Sequence, residues 1–401
     1  MKKTTLLLFI LMVSSGVFAQ QATTPVGPKE VVQSYDKNYV APTPEQPHNS
    51  GTTIYVDAAH NNFHTYDGRF TPFSDLVKND GFKVTAFTQL FSRETLKNVE
   101  ILVIANPVNE ANNPESNWVS PIQGAFTDEE ITALLEWVAE GGSLLLIADH
   151  FPFPGAVDGL AKELGFKVDN GYNFDPMYYT DLQSKFFTLP IIEQVMEGKA
   201  DPSSQEVLGQ IMNQAGGLFI DLGANLNSLS YWSNELDSSD IFKSLGDGEL
   251  YLNSLQSYED HSMLTQGIPF VTTFTGQSFT WDPMPGVTMT PIFTMGEGTY
   301  TVLTEAQDAY FGTNSTESDT NTLTSLLKTK TIPSFIVPVV QSGDKLQAAL
   351  VRLGDGKVAF FGEAGMFTAQ IAADGKSKMG MNNEQAQHNW KFVLQLMRFL
   401  D

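Results

Sequence analysis

The stretch FTDEEITALLEWVAEGGSLLLIADH, residues 126–150, contains one helix and one strand and decides the fold class. Thr127 and Glu130 have the spacing of a capping box, which marks the start of a helix. Apolar residues follow at helical spacing, and Gly141 ends the helix. The apolar run Leu144–Ile147 then predicts a strand that is buried on both faces. A helix followed directly by such a strand is typical of a parallel sheet with helices on both sides.

The same alternation continues on both sides of this stretch. Helices are predicted in TPFSDLVKNDGF, with Thr71 as N-cap, in GAVDGLAKELGF and in NNEQAQHNWKFVLQLMRFL. The stretch KLQAALVRLGDGKVAFFGEAGMF predicts a hairpin of two strands around Gly354-Asp355-Gly356. Further strands are predicted at Ile54–Val56 and in FKVTAF and VEILVIANP. The sequence therefore predicts an α/β fold built on a mostly parallel sheet.

The chain divides by composition into a leader, a linker and one large domain. Residues 1–19 have a basic start, an apolar run and small residues before the expected cleavage point, which predicts a secretory signal peptide. Residues 20–50 are rich in proline and are expected to be an extended lead-in or linker. Residues 51–401 are expected to form the α/β domain, with an irregular insertion at about 170–330.

The overall composition excludes several classes of protein. The chain has no cysteine, so it has neither disulfides, nor a thiol nucleophile, nor the lipid attachment site of a lipoprotein. Its formal net charge of −23 disfavours nucleic acid and anionic membranes as partners. No segment after the leader is long and apolar enough to span a membrane. We expect a periplasmic or extracellular protein whose oligomeric state the sequence does not indicate.

Polar and ionisable residues follow the predicted parallel strands. Because ligands bind outside the carboxyl ends of such strands, these residues are the candidate site. They are Asp57, His60, Asn106, Asp149, His150 and Glu363, with His64 close in sequence to His60. His60, Asp149 and His150 are candidate ligands of a divalent metal, and the same groups would equally serve acid/base chemistry. There is no HExxH motif, which is the usual sign of one class of zinc site. No GxGxxG follows the first strand, so no nucleotide cofactor is expected.

Each candidate also has a structural interpretation that the sequence leaves open. Asp149 would serve as the N-cap of the next helix, and His150 would pack on Phe151 or Phe153. Glu363 would be a hydrogen-bonded acid within the segment GEAG. The aromatic residues of the insertion would stack on sugars or simply cover the core. Ser278 lacks the GxSxG elbow of serine hydrolases.

Six short motifs, taken in their order along the chain, resemble the class I glutamine amidotransferase-like superfamily. They are IYVDAAHNNFH, LVIANP, FTDEEITALLEWVAEGGSLLLIADH, HSMLTQGI, FTGQSF and VAFFGEAGMFTAQ. More narrowly, the chain resembles a secreted bacterial branch of unknown function, related to trehalose-utilisation-type and gliding-motility auxiliary proteins. The resemblance covers about residues 52–165 and 335–400, with weaker matches at 261–279. It implies a flavodoxin-like sheet.

The resemblance does not carry over the reaction of the family. In the amidotransferases the turn after the fourth strand holds a catalytic cysteine, and here that turn is Asp149-His150-Phe151. Two functions remain open. One is a protein without glutaminase activity that binds a carbohydrate or another small polar ligand at the strand ends. The other is a metal-assisted or acid/base hydrolase of an extracellular glycan, acting through Asp149, His150 and Glu363. Whether the chain is an enzyme is left open at this point.

Overall fold

A computed structural model describes most of the α/β domain and parts of the region between its two halves. The described residues are 34–113, 122–174, 227–231, 264, 266–268, 270–296, 300–303, 339–371 and 378–401. The predicted signal peptide lies outside them, as do His261, Trp232 and the tyrosines at 178 and 179. No helix among the described residues has the length and apolar character needed to cross a membrane.

The described residues contain five α-helices and seventeen strands. The helices are α1 (Thr71–Asn79), α2 (Arg93–Leu96), α3 (Asp128–Ala139), α4 (Phe153–Glu163) and α5 (Asn389–Leu400). The first nine strands are β1 (Ser34–Tyr35), β2 (Thr53–Asp57), β3 (Lys83–Phe87), β4 (Ile101–Ala105), β5 (Ser143–Ile147), β6 (Phe166–Val168), β7 (Gly171–Phe174), β8 (Asn227–Tyr231) and β9 (Phe270–Phe274). The others are β10 (Phe279–Trp281), β11 (Val287–Thr294), β12 (Tyr300–Leu303), β13 (Val339–Gln341), β14 (Leu346–Leu353), β15 (Gly356–Phe361), β16 (Ala369–Ile371) and β17 (Lys378–Gly380).

Five parallel strands form one half of the main sheet, in the spatial order β3-β2-β4-β5-β15. Numbered by their order along the chain, this is 2-1-3-4-5, the strand order of flavodoxin-like sheets. Strands β4 and β5 are buried along their whole length. The predicted apolar strands are therefore the centre of an α/β sheet.

The other half of the main sheet is antiparallel, so the sheet is mixed rather than mostly parallel. Strand β14 follows β15 in the sheet, with β10, β6 and β11 beyond it, and all of these pairs are antiparallel. The pairing of β14 with β15 follows from the tight turn at Gly354-Asp355, where Gly354 has a φ of 58°. Two strands joined by so short a turn can pair only in antiparallel fashion.

The hydrophobic core lies in two layers, one on each face of the sheet. Leu145 and Ile147 point to the layer formed with α1 and α5, whereas Leu144 and Leu146 point to the layer formed with α3 and α4. All four side chains are buried, as are Leu102 and Ile104 on the neighbouring strand. The prediction of strands covered on both faces is confirmed.

Local helix signals are confirmed in one helix and wrong in another. Helix α3 begins with the predicted capping box, in which Thr127 Oγ1 accepts a hydrogen bond from the N–H group of Glu130. Thr71, predicted to be the N-cap of α1, is instead its first helical residue. Its hydroxyl donates to the carbonyl of Gly68 over 2.8 Å, which satisfies the side chain without a capping bond.

The proline-rich segment before the domain is attached to it from Ser34 onward. Strand β1 pairs with β16 in a separate three-stranded sheet, and Ala41 is buried in the core. The amide of Asn79 donates to the carbonyl of Ala41 over 3.0 Å. The guanidinium of Arg398, on the last helix, donates to the carbonyl of Gln46 over 3.0 Å. The part of the expected linker that is described is therefore packed against the domain.

Candidate functional site

The carboxyl ends of the parallel strands bring the predicted polar residues to one edge of the sheet. Asp57 is the last residue of β2, and Asn106 directly follows β4. Asp149 and Glu363 each come two residues after their strands, β5 and β15. Their contacts divide these residues into two clusters with different properties.

We call the first group, Asp57, His60, Asn62 and Glu130, the His60 cluster. The imidazole of His60 lies between two carboxylates. Its Nδ1 atom is 2.9 Å from Asp57 Oδ2, and its Nε2 atom is 2.9 Å from Glu130 Oε1. The ring also stacks on Phe91 with a centroid distance of 4.4 Å. His60 is only 4% exposed, so these contacts are shielded from water.

The hydrogen bonds of the two carboxylates favour a protonated His60. Asp57 also accepts from the Asn62 amide over 2.6 Å, and from the N–H group of Ala59 over 3.1 Å. Glu130 Oε1 also accepts from the N–H group of Phe91 over 3.1 Å. Because both carboxylates act as acceptors throughout, both ring nitrogens of His60 must donate, and only the imidazolium can do so.

The electrostatics agree with this protonation state. Burial lowers the pKa of His60, but the hydrogen bonds and negative charges of Asp57 and Glu130 outweigh burial and raise that pKa above its ordinary value. Burial raises the pKa of Glu130, but N–H donors at Thr127 and Phe91 together with His60 lower it overall. The His60 cluster is therefore a saturated ion triad that joins the end of β2 to the start of α3.

Glu130 is a member of this cluster that the sequence did not reveal. Its spacing from Thr127 predicted the capping box, and nothing in the local pattern indicated a partner 70 residues earlier. One carboxylate oxygen completes the cap by accepting from the N–H group of Thr127 over 3.1 Å, and the other binds His60. As a result, both ring nitrogens of His60 are engaged within its own cluster, away from Asp149 and His150.

We call the second group, His64, Asn106, Asp149, His150 and Glu363, the Asp149 cluster. Asn106 is its centre: its Oδ1 atom accepts from the N–H group of Asp149 over 2.9 Å. Its backbone has a left-handed φ of 55°, a conformation that asparagine tolerates better than most residues. The Asp149 carboxylate accepts from the N–H group of His150 over 2.8 Å. Asp149 does not cap the next helix, because α4 begins at Phe153 without a side-chain cap.

Asp149 and Glu363 are two buried carboxyl groups that influence each other. Burial raises the pKa of Asp149, against the lowering effects of His150 and of nearby N–H groups. Burial and then the negative charge of Asp149 raise the pKa of Glu363 well above its ordinary value. The N–H group of Met366 donates to Glu363 Oε2 over 2.9 Å. Glu363 Oε1 is buried and has no hydrogen-bond partner among the described residues.

His64 is a buried neutral histidine whose tautomer follows from its neighbour. Asn106 Oδ1 accepts from a backbone N–H group, so the amide of Asn106 is the group that faces His64 Nδ1, at 3.2 Å. Burial, followed by the charges of Arg69 and His150, lowers the pKa of His64 well below its ordinary value. With Nδ1 accepting, the proton of the neutral ring is on Nε2. That buried N–H group has no acceptor within the described part of the chain.

His150 is the half-buried member of the Asp149 cluster. Its Nδ1 atom lies 2.7 Å from the carbonyl oxygen of Phe151, and because a carbonyl only accepts, Nδ1 carries a proton. The ring centroid is 6.0 Å from that of Phe153, in a tilted arrangement. His150 is therefore held by its own loop at the rim of the cluster.

The candidate metal ligands are not assembled into one set. His60 belongs to its own saturated cluster, whereas Asp149 and His150 lie in the other. In the regions that the structure describes, no group of three or more histidine, aspartate or glutamate side chains is arranged to hold a metal ion.

Trp281, one of the aromatic residues of the insertion, and Ser278 both have hydrogen-bond partners within the domain. The indole N–H of Trp281 donates to the carbonyl of Leu164 over 2.9 Å, which fixes the ring at the end of α4. The hydroxyl of Ser278 donates to the carboxylate of Asp169, which Lys345 also binds over 2.8 Å. Ser278 therefore belongs to a hydrogen-bond network between strands.

Comparisons with known proteins find only distant likenesses. No family model matches the sequence, and no curated protein matches it. Among solved structures, the mmIFT52 N-terminal domain is 12% identical with a TM-score of 0.44, over 86% of this chain and 97% of that one. A ThuA-like protein from Bacteroides uniformis is 11% identical with a TM-score of 0.34, over 90% and 95% of the two chains.

A third solved structure, the exo-β-1,4-mannosidase Op5Man5 from Opitutaceae bacterium strain TAV5, is 8% identical with a TM-score of 0.29. It aligns with 78% of this chain and 31% of its own. These likenesses are too distant to assign a family or a function.

Proposed function

We propose that this chain is a secreted or periplasmic protein with an amidotransferase-like fold that binds a carbohydrate or another small polar ligand at the Asp149 cluster. Glutaminase chemistry through a thioester is excluded because the chain has no cysteine. The ligand would lie at the carboxyl edge of the sheet, where ligands bind in parallel α/β folds.

The observation that carries the proposal is the set of unsatisfied polar atoms in the Asp149 cluster. His64 Nε2 is a buried donor and Glu363 Oε1 a buried oxygen, and neither has a hydrogen-bond partner among the residues described. Buried polar groups in folded proteins almost always have partners, and each exception calls for an explanation. A ligand with hydroxyl groups would supply both the acceptor and the donor that these atoms lack.

The half-buried ring of His150 and the 8% exposure of Asp149 give this cluster its route to the surface. Glu363 lies behind them, fully buried. A small neutral ligand fits this arrangement better than an anion, because an anion would meet two carboxyl groups. The net charge of −23 disfavours a nucleic-acid ligand in the same way.

The raised pKa of Glu363 favours a second candidate, an acid/base hydrolase of an extracellular glycan. Two titratable groups whose surroundings push their pKa values apart are the usual basis for dividing the roles of acid and base. Glu363 would hold the proton, and Asp149 with His150 would act as the base. Both candidates use the same residues, so the same variants test both of them.

The experiment is calorimetry on the purified protein with Asp149→Asn and His150→Ala beside the parent. The titrants are maltotriose, cellotriose, mannotriose, Zn²⁺ and Mn²⁺. We expect the parent to bind an oligosaccharide and both variants to lose most of that binding. Asp158→Asn, at a half-buried position of α4 where the carboxylate pairs with Lys162, is the matched control and should bind as the parent does. Binding that survives unchanged in both site variants would refute the proposed site.

The two candidate functions differ in what happens to the ligand. If the chain is a binding protein, the oligosaccharide is recovered intact after long incubation with the parent. If it is a hydrolase, reducing ends accumulate with the parent and not with Asp149→Asn. Release of reducing ends by the parent would therefore contradict the binding function and support the hydrolase.

A further inference from the structure

Two buried side chains beside Glu363 have unpartnered polar atoms that the Asp149 cluster does not include. Thr275 Oγ1, Gln347 Oε1 and Glu363 Oε1 all lack a hydrogen-bond partner in the described regions of the chain. The three residues are at most 2% exposed. We call Thr275, Gln347 and Glu363 the Thr275 group.

The contacts of Gly276 show that the members of this group are neighbours. A Cβ atom on Gly276 would lie 2.8 Å from Gln347 Nε2, 3.0 Å from Glu363 Cβ and 2.3 Å from the carbonyl oxygen of Gly362. Gln347 Nε2 donates to the carbonyl of Thr275 over 2.9 Å, which fixes the orientation of its amide and leaves Oε1 as the unpartnered oxygen. The turn 274–277 is therefore packed directly against Gln347 and Glu363.

The backbone of Thr275 is strained. Its φ is 66°, in the left-handed region, where a β-branched residue is an outlier. Glycine would adopt this conformation without strain, and Gly276 next to it does so with a φ of 77°. A strained residue at the edge of a candidate site suggests that its side chain serves a purpose other than stability.

We propose that the Thr275 group is a second contact site for the ligand of the Asp149 cluster and that it binds hydroxyl groups of a neutral sugar or polyol. This rests on the proposed function and adds the class of ligand. The hydroxyl of Thr275 needs an acceptor for its proton, and the amide oxygen of Gln347 needs a donor. A ligand hydroxyl provides both, whereas an ammonium group only donates and an anion only accepts.

The test measures thermal stability and sugar affinity in the same variants of the purified chain. The probes are D-glucose, D-mannose, D-galactose and myo-inositol, with D-glucosamine as the cationic comparison. Thr275→Val removes the hydroxyl and keeps the branched side chain, and we expect it to weaken sugar binding about three- to tenfold. Thr275→Gly removes the hydroxyl and the strain, so it should weaken binding equally and raise Tm by about 2–4 °C.

Asp344→Gly is the matched control, because Asp344 is exposed and also has a left-handed φ, of 69°. It should leave sugar affinity unchanged. Parent affinity in both Thr275 variants, with loss of binding in Asp149→Asn, would overturn this inference alone. Unchanged affinity in Thr275→Val, Thr275→Gly and Asp149→Asn would overturn the proposed function as well. The same holds if the parent binds none of the neutral probes. Binding of glucosamine without the neutral probes would overturn the hydroxyl assignment, and a lower Tm in Thr275→Gly would overturn the assignment of strain.

Discussion

The His60 cluster and the Asp149 cluster lie at the same edge of one sheet and contain the same kinds of side chain, yet they differ in how their hydrogen bonds are satisfied. Both ring nitrogens of His60 and both of its carboxylate partners are engaged. In the Asp149 cluster, His64 Nε2 and Glu363 Oε1 have no partner among the described residues. A saturated cluster stabilises the fold, whereas an unsaturated one has capacity left to bind a ligand. The presence of histidine and carboxylates alone does not distinguish the two.

The largest expected effect is the loss of the charge at the centre of the saturated cluster. His60→Leu leaves the carboxylates of Asp57 and Glu130 buried without their cation, and we expect it to lower the free energy of unfolding by about 3–5 kcal/mol. Urea denaturation followed by circular dichroism measures this. His388→Leu, in a half-buried histidine packed on Phe270, is the control and should cost clearly less. A cost below about 1 kcal/mol for His60→Leu would contradict the ion triad.

The unsaturated cluster should respond in the opposite direction. Glu363→Gln removes a buried ionisable group whose pKa is raised by burial and by Asp149. We expect it to raise the free energy of unfolding at pH 7 by about 1–3 kcal/mol. A group whose folded pKa is raised loses stability as pH rises through that pKa, so the gain should vanish below the ordinary value of 4.5. A gain that is equal at pH 4 and pH 7 would show that ionisation is not its cause.

The pH dependence of His60 provides a third comparison. Its folded pKa is above the ordinary value of 6.5, so its stabilising contribution is complete below that pH and is lost as pH rises through the folded pKa. The stability difference between the parent and His60→Leu should therefore shrink above neutral pH, by up to about 1.4 kcal/mol per pH unit. Denaturation curves at half-unit steps from pH 6 to 10 measure it. A constant difference over that range would contradict the protonated triad.

The smallest expected effect concerns Asp149. Asp149→Asn keeps an oxygen that can accept from the N–H group of His150 and removes a negative charge beside Glu363. We expect it to lower the free energy of unfolding by less than about 0.5 kcal/mol, because the isosteric amide keeps this acceptor and removes a charge that burial disfavours. Chemical denaturation at pH 7 tests this. A loss above about 2 kcal/mol would place Asp149 with the structural residues and remove the contrast between the clusters.

The sequence indicated the edge of the sheet but not how the residues group there. Asp57, Asn106, Asp149 and Glu363 were predicted at strand ends because each follows an apolar run, and the structure places them at the ends of β2, β4, β5 and β15. His60, a candidate metal ligand together with Asp149 and His150 in the sequence, is engaged instead by Asp57 and Glu130. Thr275 and Gln347 were missed, although a glutamine inside the apolar strand β14 was a visible signal.

Local patterns determined the elements of this protein, and long-range packing determined its site. The apolar strands Ile101–Ala105 and Ser143–Ile147 and the capping box at Thr127 follow from the spacing of residues within a few positions, so the sequence alone was sufficient for them. The pairing of β6, β10 and β11 in the antiparallel half of the sheet, the partner of His60 and the left-handed backbone of Thr275 depend on segments far apart in the chain. Periodicity contains no information about which segment becomes a neighbour. Only tertiary packing decides which buried polar groups find a partner and which do not.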